Sequence, residues 1–232
     1  MPGLTARVKG RVTGPEIAPG DGTMRHFRVF AGVLLLWGCQ TVAPSTAGVT
    51  KTPVDHRPRI SRVHDSATER ATQAQLERLF DRYDLSPWSF TGAVQIDDDA
   101  IPHSHPVLTL HTRHLKDDLL LLSTYVHEQS HHYFEQHLDQ THRAIEKLET
   151  IFPDLPVGFP DGANDRESSY LHLMVIRFEH HAMIQLVGEL QAEQVMAFWA
   201  TDHYRALYRL MLEQAARVKP VMAAEALEPP HL

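Results

Sequence analysis

The chain has 232 residues, 43% hydrophobic and 22% charged, an ordinary globular composition with room for one folded domain. A formal net charge of −7 supplies no basic stripe, so no nucleic-acid partner is expected. A single cysteine excludes an intramolecular disulfide framework.

Residues 1–23 contain Gly and Pro and show no clear period. Met24-Arg25-His26-Phe27-Arg28 followed by the apolar run 29–37 reads as a basic segment and a short hydrophobic one. That run is about half the length needed to span a bilayer, so a signal segment is expected rather than a transmembrane helix. A signal peptide begins at the initiator, which points to a start at Met24. Leu36-Trp37-Gly38-Cys39 resembles a bacterial lipobox, with Trp37 departing from the small residue usual there. The resemblance implies processing within 1–38, a lipid anchor at Cys39 and a place in the bacterial cell envelope, facing the periplasm or exterior. The alternative is a cytoplasmic protein with a disordered N-terminal tail. Residues 39–62 are rich in Pro, Thr and Ser and read as a flexible tether.

The folded domain is expected over 63–218. Ser66 can cap a helix running to about Tyr83, with Ala71, Leu76, Leu79 and Phe80 as its apolar stripe. Residues 89–96 have strand character, and Asp97-Asp98-Asp99 makes a turn. A second strand is expected over 107–112. His103, His105, His111 and His114 cluster around it, and any one of them can line a cleft. A helix follows over about 116–138, and another over about 141–152. Residues 153–165, with three Pro and two Gly, form a loop long enough to be a rim or lid. A long helix over 166–187 ends at Gly188. Two more are expected, over 190–200 and over 202–218, the second capped by Thr201. Residues 219–232 read as a disordered tail.

The chemistry concentrates in His127-Glu128-Gln129-Ser130-His131. On a helix, residues four apart share a face, so both imidazoles can reach one metal ion. Glu128 then lies near a water activated by that ion and can take its proton. With 17 histidines present, roughly one chain in ten of this composition would carry the pentapeptide by accident. The setting argues against accident: no Gly or Pro occurs between Lys116 and Phe152.

Thr124 three before the first His, the uncharged Gln129 and Ser130 between the ligands, and Tyr133 after them resemble the zincin metallopeptidases. The extension of the metzincins is missing, because Phe134 stands where their glycine would be, although His137 holds the later histidine position. A gluzincin takes its third ligand, a Glu, from a later helix. Glu179-His180-His181-Ala182 is similar to the E-x-x-A pattern of several such families. The resemblance implies Zn²⁺ held by His127, His131 and Glu179. Glu128 would be the general base, acting on a peptide or protein substrate. It also implies an α+β fold: a helix-dominated domain with a small mixed sheet whose edge strand precedes the metal-binding helix and pairs with extended substrate.

Other assignments stay open. His172, two turns before Glu179 on the same face, is either the third ligand or a donor to an oxyanion in catalysis. His180 and His181 are weaker alternatives for the ligand. Tyr204, or Tyr208 four residues on, is a second candidate oxyanion donor. Asp165, Glu167 and Asp202 are candidate partners for a ligating histidine. Three rival functions remain: a non-catalytic metal-binding envelope lipoprotein with four protein ligands, a zinc amidase acting on a cell-wall or small-molecule substrate, and a His-rich interaction module without metal.

Overall fold

Backbone pairing between short chain segments builds a small sheet, and six α-helices make up most of the described residues. The computed structural model describes residues 57–229. The expected signal segment, Cys39 and most of the expected tether lie outside those residues. Among the described residues, no helix is long and apolar enough to cross a membrane.

Strand β1 (Arg59–Arg62), helix α1 (Ala67–Arg82) and strand β2 (Ala93–Ile96) form a β-α-β unit, with Arg59 opposite Ala93 and Arg62 opposite Ile96. Strand β3 (Leu108–Leu110) pairs with the other side of β2, Val94 opposite Leu108. All three strands are parallel, where the sequence suggested a mixed sheet. Strand β1 falls inside the stretch expected to be tether. Only Ile60 of its four side chains is even half-buried, so no apolar alternation announces it. Its place comes from backbone hydrogen bonds, including Arg59 N–H to Gly92 O and Val63 N–H to Ile96 O. Helix α1 starts in a capping box between Ser66 and Glu69. The fully buried Glu69 carboxylate also accepts from the N–H groups of His64 (3.0 Å) and Asp98 (3.4 Å), tying the helix to the sheet.

The segment after β2 runs back along β3. His103 and Thr109 exchange two backbone hydrogen bonds, at 3.1 and 2.8 Å, in an antiparallel bridge. The edge of β3 that resembled a substrate-pairing strand is therefore occupied at Thr109 by the chain itself.

Helix α2 (Asp118–Glu135) is capped by Asp117, whose carboxylate accepts from Leu119 and Leu120 N–H. Every residue from Leu120 to Ser130 is buried, so the motif sits at the centre of the domain. Helix α3 (Leu138–Ile151) precedes the loop. Helix α4 (Arg166–Val187) is capped by Asp165 and packs against α2. Gly188, at φ 88°, turns the chain into α5 (Glu189–Asp202). Helix α6 (Arg205–Ala224) packs against α4 and α5. Thr201 lies inside α5, and Tyr204 rather than Thr201 precedes α6.

The tail expected from residue 219 is ordered through its contacts. Helix α6 continues to Ala224, Leu227 is fully buried, and Glu225 pairs with Arg143 (2.7 Å) and Lys147. Tyr133 also donates to Glu228 O at 3.1 Å.

His181 on α4 faces Trp88 inside the core, and its Nε2 has no hydrogen-bond partner among the described residues. Burial, helped by the charges of Arg177 and Lys219, pushes its pKa down to about 4. The unfolded imidazole binds its proton near pH 6.5, so the folded state favours the neutral form. That stabilisation is complete above about pH 6.5 and is lost as pH falls toward about 4. His181→Leu is expected to lose less stability between pH 7.5 and 5 than the parent chain, as read by urea unfolding at both pH values. Parallel losses in the two proteins would contradict this.

Candidate metal centre

Three imidazoles from two helices converge. His127 and His131 stand one turn apart on α2, and His172 comes from α4. One nitrogen of each lies within 4.8 Å of the others. Ring centroids are 5.4 Å apart for His127 and His131, 4.9 Å for His131 and His172, and 5.7 Å for His127 and His172.

The outer nitrogens of two rings are already committed. His127 Nδ1–H donates to Glu179 Oε2 at 2.9 Å, and His172 Nδ1–H donates to the Ser168 carbonyl at 2.7 Å. Those bonds fix the tautomers and leave both Nε2 lone pairs free.

Glu179 is fully buried, and it serves the histidine rather than joining the trio. Its Oε1 accepts from Ser123 Oγ–H, and its Oε2 accepts from His127 and from Tyr208 O–H (2.8 Å). Trp199 Nε1–H in turn donates to Ser123 Oγ at 2.9 Å. Glu179 therefore stands behind His127 rather than among the three converging nitrogens. Its oxygens are taken up by donors from α2 and α6, and His172 fills the third corner.

The electrostatics suit a cation. Burial, then the charges of His172 and His127, hold His131 well below its ordinary pKa. Burial and then His127 push His172 down to about 3. Both therefore offer lone pairs at neutral pH. Burial acts against the charged form of His127 as well. There the hydrogen bond and charge of Glu179, with the charge of Glu128, outweigh it and hold the group above its ordinary value. Among the described residues the Glu179 carboxylate has no Lys or Arg partner, and such a buried charge calls for positive charge on the far side of His127.

Glu128 is 7% exposed, and no hydrogen bond holds its carboxylate among the described residues. Burial pushes it up to about 7, against the opposing charges of His127 and His103. The Tyr204 ring lies 4.3 Å from His172 and parallel to His127 at 6.3 Å. Burial and then the charge of Glu128 push its phenol up to about 12, so it stays a hydrogen-bond donor. Tyr204 is held at φ 48°, ψ 34°, left-handed geometry unusual for a non-glycine residue. The loop after α3 holds it there: Pro160 O and Asp161 O accept from the N–H groups of Arg205 and Ala206, and the Asp161 carboxylate pairs with Arg205 and Arg209.

That loop relies on Gly162, where a Cβ would stand 2.0 Å from Pro156 O. Gly162→Ala should destabilise the domain by about 1–3 kcal/mol through forced displacement of the loop. A thermal melt unchanged from the parent would show that the loop yields freely.

Other sequence candidates lie elsewhere. His111 Nδ1 accepts from Arg113 N–H, His114 packs on Trp199, and His137 Nδ1–H donates to Tyr133 O. His180 and His181 are not among the three converging imidazoles, and their Nε2 atoms lack hydrogen bonds among the described residues. Asp165 caps α4, Asp202 pairs with Arg113 and His203, and Glu167 lies near His142. None of the three carboxylates holds a histidine of the trio. Ser123 and Trp199 were missed by sequence reasoning. Ser123 stands four residues before His127, a helical spacing that signals a shared face; for Trp199 the sequence carries no signal.

A groove of about 290 Å³ opens beside His131, with Phe134, Leu138, Ile145 and Leu171 among its lining residues and Glu135, His142 and Glu167 among its polar ones. Comparison of the chain with protein-family models, curated proteins and solved structures finds no match to any of them.

Proposed function

We propose that this chain is a zinc-dependent hydrolase acting on peptide bonds, with His127, His131 and His172 as protein ligands. The observation that carries the reading is the convergence of three imidazoles beside a buried carboxylate, Glu128, that accepts no hydrogen bond among the described residues. Three histidines with one open position make a donor set suited to catalytic zinc. Zinc bound there supplies Lewis acidity and lowers the pKa of water into the neutral range.

The remaining steps belong to the chain. Glu128, poised near 7, accepts the proton of the attacking water and passes it to the leaving amine. Tyr204 O–H donates to the oxyanion that develops on the carbonyl. Glu179 holds the His127 ring in its working tautomer, and Ser168 O does the same for His172. The groove beside His131 offers apolar walls for a side chain flanking the scissile bond. The envelope location and lipid anchor at Cys39 remain part of the same proposal, supported by the lipobox-like residues alone.

The reading is tested by incubating the zinc-loaded chain with a peptide library and identifying products by mass spectrometry. Cleavage that a chelator stops and zinc restores supports a peptidase. Absence of any cleavage, beside hydrolysis of a cell-wall amide, would transfer the same site to an amidase. Tyr204→Phe should lower kcat by about 10²-fold or more with little change in KM. An unchanged kcat would remove Tyr204 from the chemistry.

A further inference from the structure

A second set of donors sits at the C-terminal end of α2. His105, from the segment before β3, places Nε2 2.8 Å from Glu135 Oε2. His132 Nδ1 lies 3.6 Å from that same oxygen, and the two rings are 4.4 Å apart. Three potential donors therefore fall within 4.8 Å of one another. Ligands bound tetrahedrally at zinc distances are separated by about 3.3–3.6 Å, close to this spacing.

One residue aims both rings. His132 Nε2–H donates to Ser104 O at 3.0 Å, which leaves Nδ1 as the free lone pair facing Glu135. The Ser104 hydroxyl lies 2.8 Å from His105 Nδ1, the nitrogen away from the carboxylate. Such outer hydrogen bonds orient ligating imidazoles. His105 and Glu135 are exposed and His132 is half-buried, so a cation and its remaining water ligand have direct access.

We propose that His105, His132 and Glu135 form a second site for a borderline divalent cation of the zinc type, separate from the His127, His131 and His172 centre. Two imidazoles and a carboxylate favour zinc over calcium or magnesium, which prefer all-oxygen sets. An ion there clips the Ser104-His105 segment to α2. Because His103 closes the edge of β3 and both His105 and Glu135 line the groove beside His131, occupancy stiffens one wall of that groove. The proposal does not depend on catalysis at the first centre.

The test is calorimetric titration of the metal-free full chain with Zn²⁺, beside His105→Ala, Glu135→Gln and His131→Ala variants. The substituted side chains at positions 105 and 135 are exposed, and circular dichroism checks that the variants fold. The expected result is two equivalents in the parent chain. His105→Ala and Glu135→Gln should each lose the weaker one and keep the other, and His131→Ala should show the reverse. A single equivalent in the parent that survives His105→Ala and Glu135→Gln, or a second equivalent unaltered by both, overturns the proposal. A single equivalent in the parent that His105→Ala and Glu135→Gln abolish supports the second site and counts against the first centre. Hydrogen exchange of residues 101–107 should slow on adding the second equivalent of Zn²⁺, and unchanged exchange would contradict the clip.

Discussion

Glu128→Gln should lower peptide hydrolysis by about 10²–10⁴-fold while leaving metal binding intact. Glutamine keeps the size of the side chain and cannot take a proton from water. The carboxylate is buried, accepts no hydrogen bond among the described residues, and sits with its pKa up at about 7. It is thus held in surroundings that disfavour its charge, a cost with no structural return visible around it. Neutralising it should leave stability unchanged or raise it, the trade expected of a group kept for chemistry. Kinetics and urea unfolding on the same preparation check both halves. Retained activity, or a clear loss of stability without loss of activity, would make Glu128 a structural residue.

The second large effect is expected at Glu179. Glu179→Ala strands three buried donors: Ser123 Oγ–H, His127 Nδ1–H and Tyr208 O–H. Each unsatisfied group costs about 1–3 kcal/mol. Partial relaxation brings the expected loss to about 3–5 kcal/mol, the range seen when a buried ionic pair is broken. Glu179→Gln should be milder, because an amide oxygen still accepts from His127. Its metal affinity should drop by about 10–100-fold, as for other partners of a ligating histidine. Equilibrium unfolding and competition with a chelator of known affinity measure the two quantities. A Glu179→Gln chain that binds metal as tightly as the parent would sever Glu179 from the site.

Much of the scaffold was legible because helices announce themselves. The cap at Ser66, the apolar spacing through Leu79, and Gly188 after a long periodic run placed α1 and α4 within a residue or two. The sheet was harder. Strand β1 is mostly exposed and charged, and its membership depends on backbone partners some 34 residues away. Parallel pairing likewise leaves no local mark when the connection between β2 and β3 carries no helix.

Within the site, the His127 and His131 pair was readable from spacing alone. The third corner was not. Glu179 and His172 share a face of one helix, and only the packing of α4 on α2 decides which converges with the His127 and His131 pair. Glu179 lies deeper, between Ser123 and Tyr208, so it reaches the back of His127; His172, two turns earlier, reaches the front. The resemblance to a gluzincin drew attention to the carboxylate, and its hydrogen bonds to Ser123, His127 and Tyr208 suit an orienting role.

The most direct test of this account is zinc retained after exhaustive dialysis, measured for the parent chain, His172→Ala and Glu179→Gln together. The account expects about one zinc per chain in the parent, none in His172→Ala, and a retained but weaker zinc in Glu179→Gln. Zinc kept by His172→Ala and lost from Glu179→Gln would restore the carboxylate as a ligand, and a parent chain that keeps no zinc would contradict the metal centre itself.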